Sequence, residues 1–166
     1  MSIRVLKPND SNSDLVQDEV TIFLAGSIEM GIADDWQTKL IRYLNEQGIE
    51  RIKIFNPRRD SWDSSWTQEE SNPQFNQQVN WEMNKLEQSD IIFMYFSPET
   101  KSPISLLELG LYANSGKIIV CCPDGFWRKG NIEIVCSRYR IPLYHNIEDG
   151  IGGLLTQIKK ISWKKN

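Results

Sequence analysis

Glu108 is set in the segment SPISLLELG, Ser102 to Gly110, where an acid is chemically conspicuous. Ser102 is a natural N-cap and Pro103 suits the first helical position, so a helix is expected with Glu108 about a turn and a half inside it. Ser105 and Tyr112, three residues before and four after, share its face. Ile104, Leu107 and Leu111 form the main apolar stripe, and Leu106 and Leu109 widen it. A carboxylate on so apolar a helix is expected to be partly shielded from water. Shielding raises its pKa and costs free energy unless hydrogen bonds compensate. Two readings stay open: an acid presented to a cleft, or a solvent-facing glutamate that merely interrupts the stripe.

Glu82 supplies a candidate partner. It borders a second helical stripe, Phe75, Val79, Met83 and Leu86, and can point toward the same end of the fold as Glu108. Two carboxylates in one cleft are the usual equipment for breaking a glycosidic bond, one attacking or stabilising the anomeric carbon while a proton donor assists departure. Alone, an acid at a stripe border is an ordinary feature. Ser27, in AGSIEMG, follows an apolar run at the turn into a helix. Small residues and free backbone N–H groups there favour phosphate or sugar hydroxyls, and a tight turn at Gly26 is compatible with that role. The segment is neither a GxGxxG fingerprint nor a Walker loop, which gives little support to dinucleotide or nucleoside triphosphate binding.

Composition narrows the chemistry further. With 166 residues, 40% hydrophobic and 25% charged, the chain suits one soluble domain burying roughly two-thirds of its unfolded surface. A net charge of −3 leaves no footprint for a nucleic acid polymer, and the basic end at Lys159, Lys160, Lys164 and Lys165 reads as a solvated terminal helix. His145 is the only histidine, which argues against His-based metal clusters and a Ser-His-Asp triad; no metal or organic cofactor is expected. Cys121, Cys122 and Cys136 form neither a disulfide framework nor a zinc spacing. No apolar run reaches membrane-spanning length and the polar start lacks a signal-peptide core, so a cytoplasmic protein is expected.

The elements that must position these residues alternate in period. Val20 to Gly26, Arg51 to Pro57, Ile91 to Phe96, Lys117 to Cys122 and 143–145 read as five strands. Helices are expected over Asp34 to Gln47, from Phe75 onward, from Ser102, over Asn131 to Tyr139 and over Ile151 to Ile161. Such alternation predicts a parallel sheet covered on both faces, with ligands outside the carboxyl ends of the strands. A polar segment, residues 1–18, precedes a single domain over 19–166. The one long irregular stretch, Asn56 to Gln74, combines Arg58, Arg59 and Asp60 with Trp62 and Trp66; it reads equally as a substrate loop and as a surface flap or oligomer contact.

FLAGSI, NPRRD, WEMNKLEQSDIIF and SPISLLELGLYA followed by GKIIV, in this order, resemble the nucleoside 2-deoxyribosyltransferase family and its relatives, the 2′-deoxynucleoside 5′-phosphate N-hydrolases, from about Thr21 to Asn131. The resemblance implies a flavodoxin-like, Rossmann-like three-layer α/β sandwich with a five-stranded parallel sheet. It implies Glu108 as the nucleophile of a covalent deoxyribosyl-enzyme intermediate, and Glu82, where the family usually has Asp, as the acid assisting at base or sugar. Ser102 falls where transferases carry an Asp for the sugar 5′-hydroxyl and the phosphate-accepting hydrolases a serine. Arg59, Asp60 and Trp62 fall in the base-recognition region, and Asn131 resembles an asparagine lent to a neighbouring subunit's site. The implied ligand is a small nucleoside or nucleotide, and the implied assembly a homodimer or higher homo-oligomer. Transfer to a base and hydrolysis both remain open, Ser27 and Ser102 leaning toward the phosphate. A nucleotide-sensing domain without turnover is the reading from another class.

Overall fold

Along Val20–Gly26 (β2) alternate side chains enter two different cores: Phe23 and Ala25 face one helical layer, Ile22 and Leu24 the other. The same division runs through Ile91–Tyr95 (β4) and Ile118–Cys121 (β5), as a sheet buried on both faces requires. These strands are apolar at nearly every position because neither face meets water.

The computed structural model describes residues 3–10, 18–29, 33–59 and 65–165. The remaining strands are Arg4–Leu6 (β1), Ile52–Phe55 (β3) and Leu143–Tyr144 (β6), giving one six-stranded sheet of order β1-β3-β2-β4-β5-β6 with every pairing parallel. The helices are Trp36–Glu46 (α1), Pro73–Gln88 (α2), Pro103–Tyr112 (α3), Lys129–Tyr139 (α4) and Ile147–Lys165 (α5). Trp36, Leu40 and Leu44 of α1 share a core with Leu154 and Ile158 of α5. Leu86 of α2, Leu109 of α3 and Ile132 and Cys136 of α4 fill the other, which makes the three layers.

The expected count of five strands is corrected to six. The five strands other than β1 keep the flavodoxin-like order, and β1, from the polar segment at the start of the chain, adds an edge through Arg4–Lys53, Val5–Ile54 and Leu6–Phe55. A three-residue strand is too short to show a period of two, and its neighbours are polar. The terminal basic helix is also less free than expected: Lys165 Nζ donates to Asp90 Oδ2 at 2.8 Å and to the Glu19 carbonyl at 2.7 Å.

Helix ends follow their chemistry where caps are simple. Asp35 accepts from Thr38 N at the start of α1, and Asn72 accepts from Phe75 N ahead of Pro73. The apolar face of α3 departs from expectation. Ser105, Leu109 and Ala113 turn inward, while Ile104, Leu107 and Leu111 are 59, 58 and 56% exposed. Both arcs of this helix carry large apolar residues, so spacing alone could not choose the buried one.

Candidate active site

β2 leads out to β3 on one side while β4 lies on its other, so the carboxyl end of β2 is the switch point of the sheet. Gly26 ends that strand with φ 127°, and a Cβ there would sit 2.2 Å from the Tyr95 carbonyl oxygen. Only glycine allows this approach, which lets Ser27 N donate to the same carbonyl at 2.9 Å.

Ser27 is buried and anchors a cluster of hydroxyls. Its Oγ accepts from Ser97 N at 2.8 Å and lies 2.8 Å from Thr100 Oγ1 and 2.7 Å from Ser102 Oγ. Thr100 and Ser102 hydroxyls are themselves 2.8 Å apart. In place of the expected cap on α3, the Ser102 side chain makes no cap hydrogen bond, and its backbone sits in the left-handed region at φ 45°. The cluster takes the hydroxyl away from the helix. Glu29 serves the loop in its place, its Oε1 accepting from Lys101 N at 2.7 Å and Ser102 N at 2.5 Å.

Further along α3, Glu108 Oε2 is buried and has no hydrogen-bond partner among the described residues. Burial first, and the charge of Glu82 second, push its carboxyl up to about 8. Glu82 on α2 is raised by burial too, but Gln78 and the positive charge of Arg59 pull against that shift. Gln78, one turn before Glu82, donates to its Oε1 at 2.6 Å. Arg59 lies with its guanidinium 4.9 Å from the Trp66 ring and one nitrogen on Asn9 Oδ1, while its buried Nε finds no acceptor among the described residues. Four buried side-chain atoms stand without partners among the described residues, and three belong to this group: Arg59 Nε, Gln78 Oε1 and Glu108 Oε2. Unsatisfied buried polar atoms are rare in folded proteins, and three of the four fall in this one group, which makes it the candidate site. Chemically, two neighbouring carboxyls whose surroundings push them apart, Glu108 raised by burial without a hydrogen bond and Glu82 steadied by Gln78 and Arg59, can divide into an acid and a base.

A family model described as nucleoside 2-deoxyribosyltransferase like matches residues 19–126. The chain belongs to that family. A search of curated proteins found no match. Among solved structures, a conserved protein from Enterococcus faecalis V583 is similar at 14% identity and a TM-score of 0.58, over 86% of this chain and 98% of that one, which shows the fold.

Within this nucleoside 2-deoxyribosyltransferase-like chain, Glu108 and Glu82 are brought together electrostatically and Ser27 and Ser102 by a direct hydrogen bond. Ser102 immediately precedes the helix that carries Glu108 six residues further on. Arg59 acts on Glu82, whereas Arg58 turns to Gln37 Oε1, the Ala33 carbonyl and Asp35. Asp60 and Trp62 lie outside the described residues. Asn131 is exposed on α4, and His145 is exposed beyond β6. The three cysteines are unpaired and buried; burial pushes the Cys121 thiol up to about 12, which removes it as a nucleophile. Among the described residues no group of three or more His, Cys, Asp or Glu side chains could hold a metal ion. No helix of the described chain is long and apolar enough to cross a membrane.

Three participants are not marked by the sequence patterns above. Gln78 stands four residues before Glu82, a spacing that signals a helix-face pair. Glu29 and Thr100 give no periodic signal, because loop conformation alone brings them to Ser102.

Proposed function

We propose that the protein cleaves the N-glycosidic bond of a 2′-deoxynucleoside-type substrate through a covalent intermediate on Glu108, and passes the sugar to a second base or to water. The observation that carries this reading is the buried, unpartnered Oε2 of Glu108 beside Glu82. The proton that Glu108 holds at neutral pH passes by way of Glu82 to the departing base as the C1′–N bond breaks, leaving Glu108 ionised to form its ester bond at C1′. The acceptor nitrogen or water oxygen then attacks C1′, the ester bond breaks, and the acceptor's proton returns to Glu82. Two displacements retain the configuration at C1′. Arg59, with Asp60 and Trp62 of the same loop, recognises the base, and Trp66 offers a flat surface beside it.

A second copy of the chain belongs to the same reading. Ile104, Leu107 and Leu111 expose an apolar stripe on the helix that carries Glu108, and Asn131 would complete the partner's site. Light scattering that returns a monomeric mass at working concentration would remove this part. The unpaired buried cysteines favour a cytoplasmic setting.

The test is product chromatography after incubation with a panel of 2′-deoxynucleosides and their 5′-monophosphates, with and without a free acceptor base. A new nucleoside that needs the acceptor identifies transfer; free base without acceptor identifies hydrolysis. No cleavage of any substrate refutes the reading.

A further inference from the structure

Resting on that reading of the site, we infer that Glu29 is a specificity-determining residue: its carboxylate fills the anion position at the start of α3 and reserves the sugar's 5′ end for a neutral hydroxyl. Two independent observations meet here. The first is charge. Lys101 N and Ser102 N, the backbone donors that would otherwise greet a phosphate, are both bonded to Glu29 Oε1. A 5′-phosphate must either displace that carboxylate or sit against it, and like charges at such range repel. None of the hydrogen bonds of Ser27, Thr100 and Ser102 comes from a Lys or Arg side chain among the described residues, which include every Lys and Arg of the chain. Lys101 contributes its backbone only; its ammonium lies 5.8 Å over the Trp127 ring.

The second observation is a count of hydrogens. Thr100 spends its hydroxyl hydrogen on the Ser97 carbonyl at 2.9 Å. The hydrogens of Ser27 and Ser102 are left to cover three mutual oxygen contacts of 2.7–2.8 Å, so one contact has none of its own. The cluster is short of donors and rich in lone pairs. A phosphate dianion brings only acceptors and would worsen the shortage. A sugar hydroxyl brings a donor, and it has a second acceptor at hand, since Glu29 Oε2 makes no hydrogen bond among the described residues.

The test compares kcat/KM for one 2′-deoxynucleoside and its 5′-monophosphate in the wild type and in Glu29→Gln. Glutamine keeps an oxygen for the two backbone donors and removes only the charge. The wild type is expected to prefer the nucleoside at least tenfold, and Glu29→Gln to narrow that ratio at least tenfold, mostly through KM for the monophosphate. Equal or better use of the monophosphate by the wild type, or an unchanged ratio in the variant, overturns the inference. Calorimetric binding of the same two ligands separates it from the mechanism. If nothing is cleaved the proposed reaction fails, yet tighter binding of the nucleoside that is reversed or levelled in Glu29→Gln still supports Glu29. Equal binding, or binding of neither ligand, overturns it.

Discussion

Two buried polar groups, one at the start of α3 and one further along it, are built in opposite ways. The Ser27–Thr100–Ser102 cluster is neutral, and each of its oxygens touches two others of the cluster. The Glu82–Glu108 pair is ionisable, and one oxygen of Glu108 is left without a partner among the described residues. A closed, uncharged cluster fixes the turn after β2 against the start of α3. An unsaturated pair costs stability and is retained only where something else completes it. On the proposed reading, the contrast separates the part that holds the site from the part that reacts.

The largest expected effect is on the reacting pair. Glu108→Gln keeps the volume and removes the proposed nucleophilic oxygen, so turnover is expected to fall by about 10⁴-fold or more in a single-turnover assay. The same variant should be more stable at alkaline pH. The native carboxyl, raised from 4.5 to about 8, and the unfolded one both hold the proton below pH 4.5, where no penalty arises. Between these values the unfolded chain releases its proton and the native one retains it, so native stability falls as pH rises and levels off above about 8. Urea unfolding at pH 4.5 and 8.5 should give similar stabilities for wild type and variant at the lower pH. At the higher pH the variant should gain on the order of 2–4 kcal/mol, less than the full shift because the residue is partly exposed. Identical pH dependence in the two proteins would mean that the carboxyl is not buried as described.

A smaller effect tests the coupling. The mechanism needs one proton on the pair, so kcat/KM should decline above about pH 8, tenfold per unit at its steepest. Glu82→Gln removes a neighbouring charge but not the burial, which is the larger cause. Carboxyl-carbon NMR should therefore follow Glu108 titrating lower than in the wild type, yet still above the ordinary glutamate range. A return to that ordinary range would mean that the charge of Glu82, rather than burial, raises the Glu108 carboxyl.

The parts of this site that are legible in the sequence are those carried by regular spacing. Strands β2 to β5 and the helix bearing Glu108 follow from apolar runs, turn residues and Pro103, and the odd charge on an apolar helix flags Glu108 itself. What escapes depends on where the chain bends. β1 is legible only once β3 lies beside it, because three residues carry no pattern. The inward face of α3 is chosen by the sheet it covers, since its own sequence is apolar on both arcs. Ser102 reads as an ordinary cap because its sequence neighbours fit one; its left-handed backbone and its bonds to Ser27 and Thr100 arise from the folded loops around it.

The diverted hydroxyl of Ser102 leads to the smallest expected effect and the finest test of the contrast. If the hydroxyl cluster holds rather than reacts, its members should not be equivalent on removal. Thr100→Val keeps the branched shape and the backbone bond from Thr100 N to the Ser97 carbonyl, but strips the hydroxyl's bond to that carbonyl and its contacts to Ser27 and Ser102; a loss of about 1–2 kcal/mol in urea unfolding is expected. Ser102→Ala removes one of the crowded oxygens from a cluster that lacks a hydrogen for every contact, and the remaining Ser27 hydrogen can then go to Thr100. Its stability cost should be under about 1 kcal/mol, with the larger change appearing as a raised KM for the substrate. An ordering in which Ser102→Ala is the more destabilising and leaves KM untouched would make Ser102 a structural hydroxyl, and the division between holding and recognising would then fall at Glu29 rather than within the cluster.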